Sequence, residues 1–130
     1  MQIQLPEEIR SFYFEFNWEN QKVWRLSADA EESPIAEHLW HLDYPFWSSR
    51  PPLPLFDLRP NHVLADSTLH PGHFKRIESA DLRYPIDTLF HRKKWIILDG
   101  MHRLARYALE GHGKIWVRKH QPSIIPSIRR

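Results

Sequence analysis

The feature that most constrains the fold is an abrupt change of hydrophobic period near residue 100. Trp95–Leu98 is a short apolar run, typical of a buried strand, and Asp99-Gly100 follows it. After the glycine, apolar residues recur at helical spacing, at Met101, Leu104, Ala105, Ala108 and Leu109. The sequence therefore predicts a strand, a tight glycine turn and an amphipathic helix in immediate succession.

The segments on either side predict further elements of an α+β domain. Pro85–Phe90 and Trp95–Leu98 are expected to form a β-hairpin joined by His91–Lys94. Gly111 stops the helix, and a strand follows it at Lys114–Lys119. Two further elements are expected earlier: a strand at 55–58, ended by Arg59-Pro60-Asn61, and a helix starting near Pro71, with Phe74 and Ile77 facing inward.

The first half of the chain is rich in aromatic residues and proline. The alternation of Phe12, Phe14, Phe16 and Trp18 predicts a strand, and Lys22–Leu26 is expected to return as its hairpin partner. Ser33-Pro34 is typical of a helix start and predicts a short helix carrying Ile35, Leu39 and Leu42. Asp43–Pro54 is expected to wrap the surface in an extended form, or else to bind a partner as a polyproline segment. The tail Gln121–Arg130 is expected to be extended.

Length and composition bound the class of protein. The 130 residues predict a single domain with a hairpin, helix and wrap at 1–53, a core at 54–120 and a tail at 121–130. The chain has no cysteine, which excludes disulfides, thiolate metal sites and cysteine nucleophiles. It has no apolar run of membrane-spanning length, and residues 1–10 lack the apolar stretch of a signal peptide. We therefore expect a cytoplasmic protein with no membrane partner.

The charge is unevenly distributed. Residues 1–90 hold 8 Lys and Arg against 14 Asp and Glu, whereas residues 91–130 hold 10 against 2. A basic C-terminal third would attract nucleotides, phosphorylated metabolites or nucleic acid. Alternatively, the acidic first part packs against it.

The start of the predicted helix at 101–110 carries a candidate site. His102 and Arg103 fall off its apolar face in the first turn, where the helix dipole disfavours cations. A bound anion would explain them, with Gly100 allowing close backbone approach and Arg103 holding phosphate oxygens in a bidentate manner. The alternative is that Asp99 is a simple N-cap and Arg103 pairs with an acid such as Glu110 or Asp87.

The run Trp95–Ala108, with Asp99-Gly100-Met101-His102-Arg103 at its centre, resembles the signature of the ParB/sulfiredoxin superfamily. The resemblance covers residues 54–120 and implies a small mixed sheet with helices. It implies that Gly100, Met101, His102 and Arg103 hold nucleotide phosphates, and that Asp99 acts beside a transferred phosphoryl group or helps to place a metal ion.

Within this superfamily the chain is most similar to free-serine kinases, which carry D-G-H-H-R in this loop. Sulfiredoxins use a cysteine where this chain has Met101, so their chemistry and any redox cofactor are not expected. The resemblance thus implies ATP, ADP or CTP with Mg²⁺ as ligand. It favours a nucleotide- or phosphate-binding domain, bacterial in type, that acts as a small phosphotransferase on a hydroxyl substrate if it is an enzyme.

Two other functions are kept as alternatives. A non-enzymatic, DNA-associated ParB-like module would contact the nucleic acid backbone through basic residues of the C-terminal third, namely His91–Lys94, Arg118, Lys119, Arg129 and Arg130. A metal-dependent nuclease would use histidine pairs at a spacing of three, namely His38 with His41 and His70 with His73. A kinase also needs a base for the substrate hydroxyl, for which the candidate carboxylates are Asp57, Glu78, Asp81 and Asp87.

Overall fold

A computed structural model describes residues 5–130, and in this part the chain is a mixed α+β protein, as predicted. The helices are α1 (Glu7–Arg10), α2 (Asn20–Trp24), α3 (Pro60–Ala65), α4 (Pro71–Glu78), α5 (Met101–Leu109) and α6 (Ile125–Ile128). The strands are β1 (Glu31–Pro34), β2 (Ile86–His91), β3 (Lys94–Asp99) and β4 (Lys114–His120). Short 3-10 helical turns occupy Ile35–Glu37, Leu39–Asp43 and Pro122–Ile124.

The four strands form one sheet in the order β1-β4-β2-β3. β2 and β3 are the predicted antiparallel hairpin, β4 lies parallel to β2, and β1 pairs with β4 in the antiparallel sense. The hairpin turn is tighter than expected, because it consists of Arg92 and Lys93 alone, with φ of 48° and 69°. Positive φ at both central residues is typical of a type I′ turn, which matches the twist of the flanking strands.

The sheet is covered on both faces, which explains why consecutive residues of β2 and β3 are buried. Ile97 joins the cluster that includes Leu104 of α5 and Ile77 of α4 on one face. Its neighbours Ile96 and Leu98 join an aromatic cluster on the other face, with Ile9, Phe12, Phe14, Val23 and Ile128 among its members. The helices α4 and α5, predicted from their periodicity, are confirmed.

The predicted N-terminal hairpin is wrong. Residues 12–18 form no regular strand, and the main chain makes only an isolated bridge between Trp18 and Arg129. The predicted partner strand lies largely within helix α2, so no neighbouring strand is available to pair with it. The alternating rings instead pack edge-on against one another, as Phe14 and Trp18 do at 5.1 Å between ring centroids.

Three other local predictions are corrected. Ser33-Pro34 ends strand β1 instead of starting a helix, and Ser33 lies opposite Ile115 of β4. The strand expected at 55–58 is reduced to one bridge between Leu58 and Trp47, and Pro60 begins helix α3. The tail is not extended, since it forms the 3-10 turn Pro122–Ile124 and helix α6, with Ile128 fully buried. The signal-peptide prediction involves residues 1–4, which lie outside the described part.

Candidate functional site

The predicted strand, glycine turn and helix are all present around Gly100. β3 ends at Asp99, Gly100 has φ of 115°, and α5 begins at Met101. A Cβ atom built on Gly100 would lie 3.1 Å from Cγ1 and 3.3 Å from Cα of Ile86. Glycine is therefore required at this position both for its backbone conformation and for the close approach of β2.

Arg103 is bound within the chain. Its guanidinium donates from Nη1 to the carbonyl of Pro85 at 2.6 Å and from Nη2 to Oδ2 of Asp99 at 3.2 Å. Asp99 Oδ2 also accepts from Nε1 of Trp24 at 2.7 Å, and Oδ1 lies 3.5 Å from Nδ2 of Asn20. The acid that pairs with Arg103 is therefore Asp99, not Glu110 or Asp87.

His102 is uncharged for a structural reason. Its ring lies on the indole of Trp47, with 4.2 Å between centroids and 12° between planes. Burial, followed by the charge of Arg76 and the neighbouring His73, lowers its pKa to about 3. With His102 neutral and Arg103 paired, the first turn of α5 does not hold two free cations. The charges of these two side chains therefore give no argument of their own for a bound anion, and the binding of one stays a prediction.

The groups at this turn that can still bind a ligand are the backbone N–H donors. The N–H groups of Met101, His102 and Arg103 donate no backbone hydrogen bond in the described chain, and Gly100 provides no side-chain cap. These residues line a cavity of about 420 Å³, here called the motif cavity, which extends to Arg76 of α4 and to the aromatic residues Tyr13, Phe46, Trp47 and Phe56.

Arg76 is a site residue that the sequence did not reveal. Its side chain is exposed, lines the motif cavity and has no hydrogen-bond or ion-pair partner among residues 5–130. It sits one position before the buried Ile77 of α4, a helix that packs beside α5. Arg76 lies near the Gly100 turn only because α4 packs against α5. That packing cannot be predicted from the local sequence.

Of the four candidate carboxylates, the sheet brings Asp87 next to Asp99. The two residues are cross-strand partners, and the register shifts between Asp87 and Thr88. Such a bulge re-aims side chains. Asp87 Oδ1 accepts from Nε of Arg118 at 2.7 Å and from Nε2 of His120 at 2.9 Å. Asp57 is instead bound by Ser49 and Asp81 by Arg83, and Glu78 is exposed.

Three of the four histidines proposed as metal ligands, His38, His41 and His73, have side-chain hydrogen-bond partners within the protein. His41 Nε2 accepts from the backbone N–H of Ile97 at 3.1 Å, and its Nδ1 donates to the carbonyl of His38. His73 bonds to His102 and to the carbonyl of Ser48. Among residues 5–130, no group of three or more His, Asp and Glu side chains is arranged to hold a metal ion.

Several basic residues of the C-terminal third pair with acids of the first part. Arg92 binds Glu15, Lys119 lies 3.7 Å from Glu37, and Arg118 binds the buried Asp87. The two oppositely charged parts of the chain therefore pack together at these points. Arg118 is not available for nucleic acid, since all three of its guanidinium nitrogens have partners inside the protein.

No helix within residues 5–130 has the length and apolar character needed to cross a membrane. Comparison of the chain with protein-family models, with curated proteins and with solved structures gave no match.

Proposed function

We propose that this chain is a nucleotide- or phosphate-binding domain of the ParB/sulfiredoxin type, with the phosphates at the N-terminus of α5. The observation that carries the proposal is that Met101, His102 and Arg103, whose N–H groups donate no backbone hydrogen bond within residues 5–130, line a cavity together with Arg76, whose guanidinium has no partner in the same part of the chain. Free amides at a helix N-terminus and a nearby guanidinium both favour an anion.

The assignment of roles differs from the one that the resemblance implies. Arg76 supplies the free positive charge, because Arg103 is held by Asp99 and Pro85. His102 contributes its backbone N–H, since its ring is neutral and packed on Trp47. Gly100 keeps the turn close to β2 and supplies no side-chain cap to the helix.

Phosphoryl transfer to a hydroxyl substrate is the enzymatic form of the proposal. Asp99 is the carboxylate that lines the motif cavity, and its Oδ1 has only the 3.5 Å contact with Asn20. This oxygen is the atom available to a Mg²⁺ ion that accompanies a nucleotide. The bound metal would neutralise developing charge on the phosphates, and Trp24 and Arg103 would keep Asp99 oriented through Oδ2.

The test is a thermal-shift panel with ATP, ADP, CTP and pyrophosphate, each with and without Mg²⁺. A ligand present at 100 times its Kd stabilises the folded state by about 2.7 kcal/mol, so we expect a clear rise in Tm. Arg76→Gln should reduce the rise, and the matched control Lys75→Gln, on the same helix and also exposed, should retain it. No rise with any of these ligands would overturn the proposal.

A further inference from the structure

A second cavity lies on the other side of Arg103. It has a volume of about 490 Å³ and is here called the Asp87 cavity, and it is lined by Trp24, Tyr84, Pro85, Asp87, Arg103 and Arg118. It shares only Arg103 with the motif cavity. It is bordered by α2, by the start of β2 and by β4, so residues far apart in the sequence form its walls.

The floor of this cavity holds a buried carboxylate with unused hydrogen-bonding capacity. Asp87 is 2 % exposed. Both of its hydrogen bonds, from Arg118 and His120, go to Oδ1, and Oδ2 has no partner among the described residues. Oδ2 is not among the fully buried side-chain atoms that lack a partner, so it keeps some contact with solvent. Asp87 therefore offers a hydrogen-bond acceptor to whatever occupies the cavity.

The walls offer flat aromatic surface. Trp24 is 57 % exposed and Tyr84 is 60 % exposed, although both are large hydrophobic residues. The indole of Trp24 is fixed by its hydrogen bond to Asp99 at 2.7 Å. Two exposed rings beside a polar floor provide stacking faces for a flat ligand, since base–aromatic stacking needs only an accessible ring face.

The charges at this cavity are balanced. Arg103 and Arg118 both line it, but Arg103 is paired with Asp99 at 3.2 Å and Arg118 with Asp87 at 2.7 Å. A neutral, flat molecule that donates an N–H to Asp87 leaves both ion pairs in place and fits the aromatic walls.

We propose that the Asp87 cavity binds a planar heterocycle bearing an amino group, of the aminopurine or aminopyrimidine class found in nucleobases. The exocyclic N–H donates to Oδ2 of Asp87, and the ring stacks on Tyr84 and Trp24. This inference goes beyond the phosphate site, because it requires no phosphate and concerns a different cavity.

Nucleosides, which lack phosphate, test this inference separately from the proposed function. In ligand-observed NMR titrations, adenosine and cytidine should bind wild-type protein with a Kd on the order of 0.1 to 1 mM. N6,N6-dimethyladenosine keeps the ring but has no amino N–H, and we expect it to bind about tenfold more weakly. Equal binding of adenosine and its dimethyl analogue would overturn the role of Asp87.

The aromatic wall is tested by substitution. Tyr84→Ala should weaken adenosine binding about fivefold or more. The matched control Trp116→Ala removes another exposed ring, 48 % exposed and outside the cavity lining, and should leave the Kd unchanged. Circular dichroism would establish that both variants are folded. Absence of saturable nucleoside binding, or binding unaffected by Tyr84→Ala, would overturn the inference even if pyrophosphate still raises the Tm.

Discussion

The imidazole rings of His73 and His102 lie edge to edge, with Nδ1 of His73 3.1 Å from Nε2 of His102, and both rest on the indole of Trp47. The carbonyl of Ser48, 2.7 Å from His73 Nε2, can only accept, so this nitrogen carries a proton. Since burial lowers the pKa of both rings, His73 Nδ1 is an acceptor and His102 Nε2 is the donor. The proton positions of two side chains thus follow from one backbone carbonyl.

We predict that both histidines are Nε2–H tautomers at neutral pH. Long-range ¹H–¹⁵N correlation spectra would assign them, and the ¹⁵N shifts of His102 should not change until the pH is far below 6.5, because its pKa is lowered to about 3. His73→Phe keeps a ring on Trp47 but removes the acceptor, and should cost about 1–2 kcal/mol of unfolding free energy. A His102 that titrates near pH 6.5 in the wild type would contradict this arrangement.

Acidification should destabilise the protein before most carboxylates titrate. His41 is fully buried, and burial lowers its pKa to about 3. Below pH 6.5 the unfolded chain binds a proton at this residue and the folded chain does not, so stability falls as the pH falls, by up to about 1.4 kcal/mol per unit for one such histidine. Urea unfolding at pH 7, 6 and 5 would measure this slope. A free energy of unfolding that stays constant over this range would refute the prediction.

Gly100→Ala should be strongly destabilising. The new Cβ would meet Ile86 at 3.1 Å in a backbone with φ of 115°, so both strain and crowding oppose it. We expect a loss of about 1–3 kcal/mol in urea unfolding. Gly72→Ala is the control, because a Cβ at that position in α4 meets nothing within 4 Å and should be neutral or stabilising by up to about 1 kcal/mol.

The hairpin turn offers a stabilising change. Lys93 has φ of 69° and an exposed side chain, and a left-handed conformation costs a residue with a Cβ about 1–2 kcal/mol. Lys93→Gly should therefore raise the free energy of unfolding by about 1 kcal/mol, which a rise in Tm would report. Lys93→Ala retains the Cβ and should give no such gain. If the alanine variant gained as much as the glycine variant, the backbone would not be the cause.

Periodicity predicted the elements that are regular and bury one continuous face. The stripe from Met101 to Leu109 gave α5, and the two apolar runs on either side of Arg92-Lys93 gave the hairpin. The same reasoning wrongly predicted a strand at residues 12–18. The alternation of aromatic residues indicates only that every second ring faces the same way. A strand also requires a partner, and here the rings pack on the sheet face and on one another.

The candidate site was predicted in part. The sequence located Asp99–Arg103 correctly on a glycine turn before a helix, since those residues are contiguous. It did not reveal that Asp99 binds Trp24, that His102 lies on Trp47, or that Arg76 lines the cavity. Each of these contacts joins residues more than 20 positions apart, and a single sequence contains no signal for such pairs.

Strand β1 has a practical consequence for protein engineering. It lies outside residues 54–120, which the sequence predicts to form the core, yet it pairs with β4 over four residues. A fragment comprising only residues 54–130 would leave β4 as an open edge with unpaired backbone groups, which promotes strand addition between molecules. It would also lose Trp24 and Trp47, the ring surfaces beside both cavities. A shortened version of this protein therefore has to keep β1 and the aromatic residues before residue 54, or the open edge of β4 will promote aggregation.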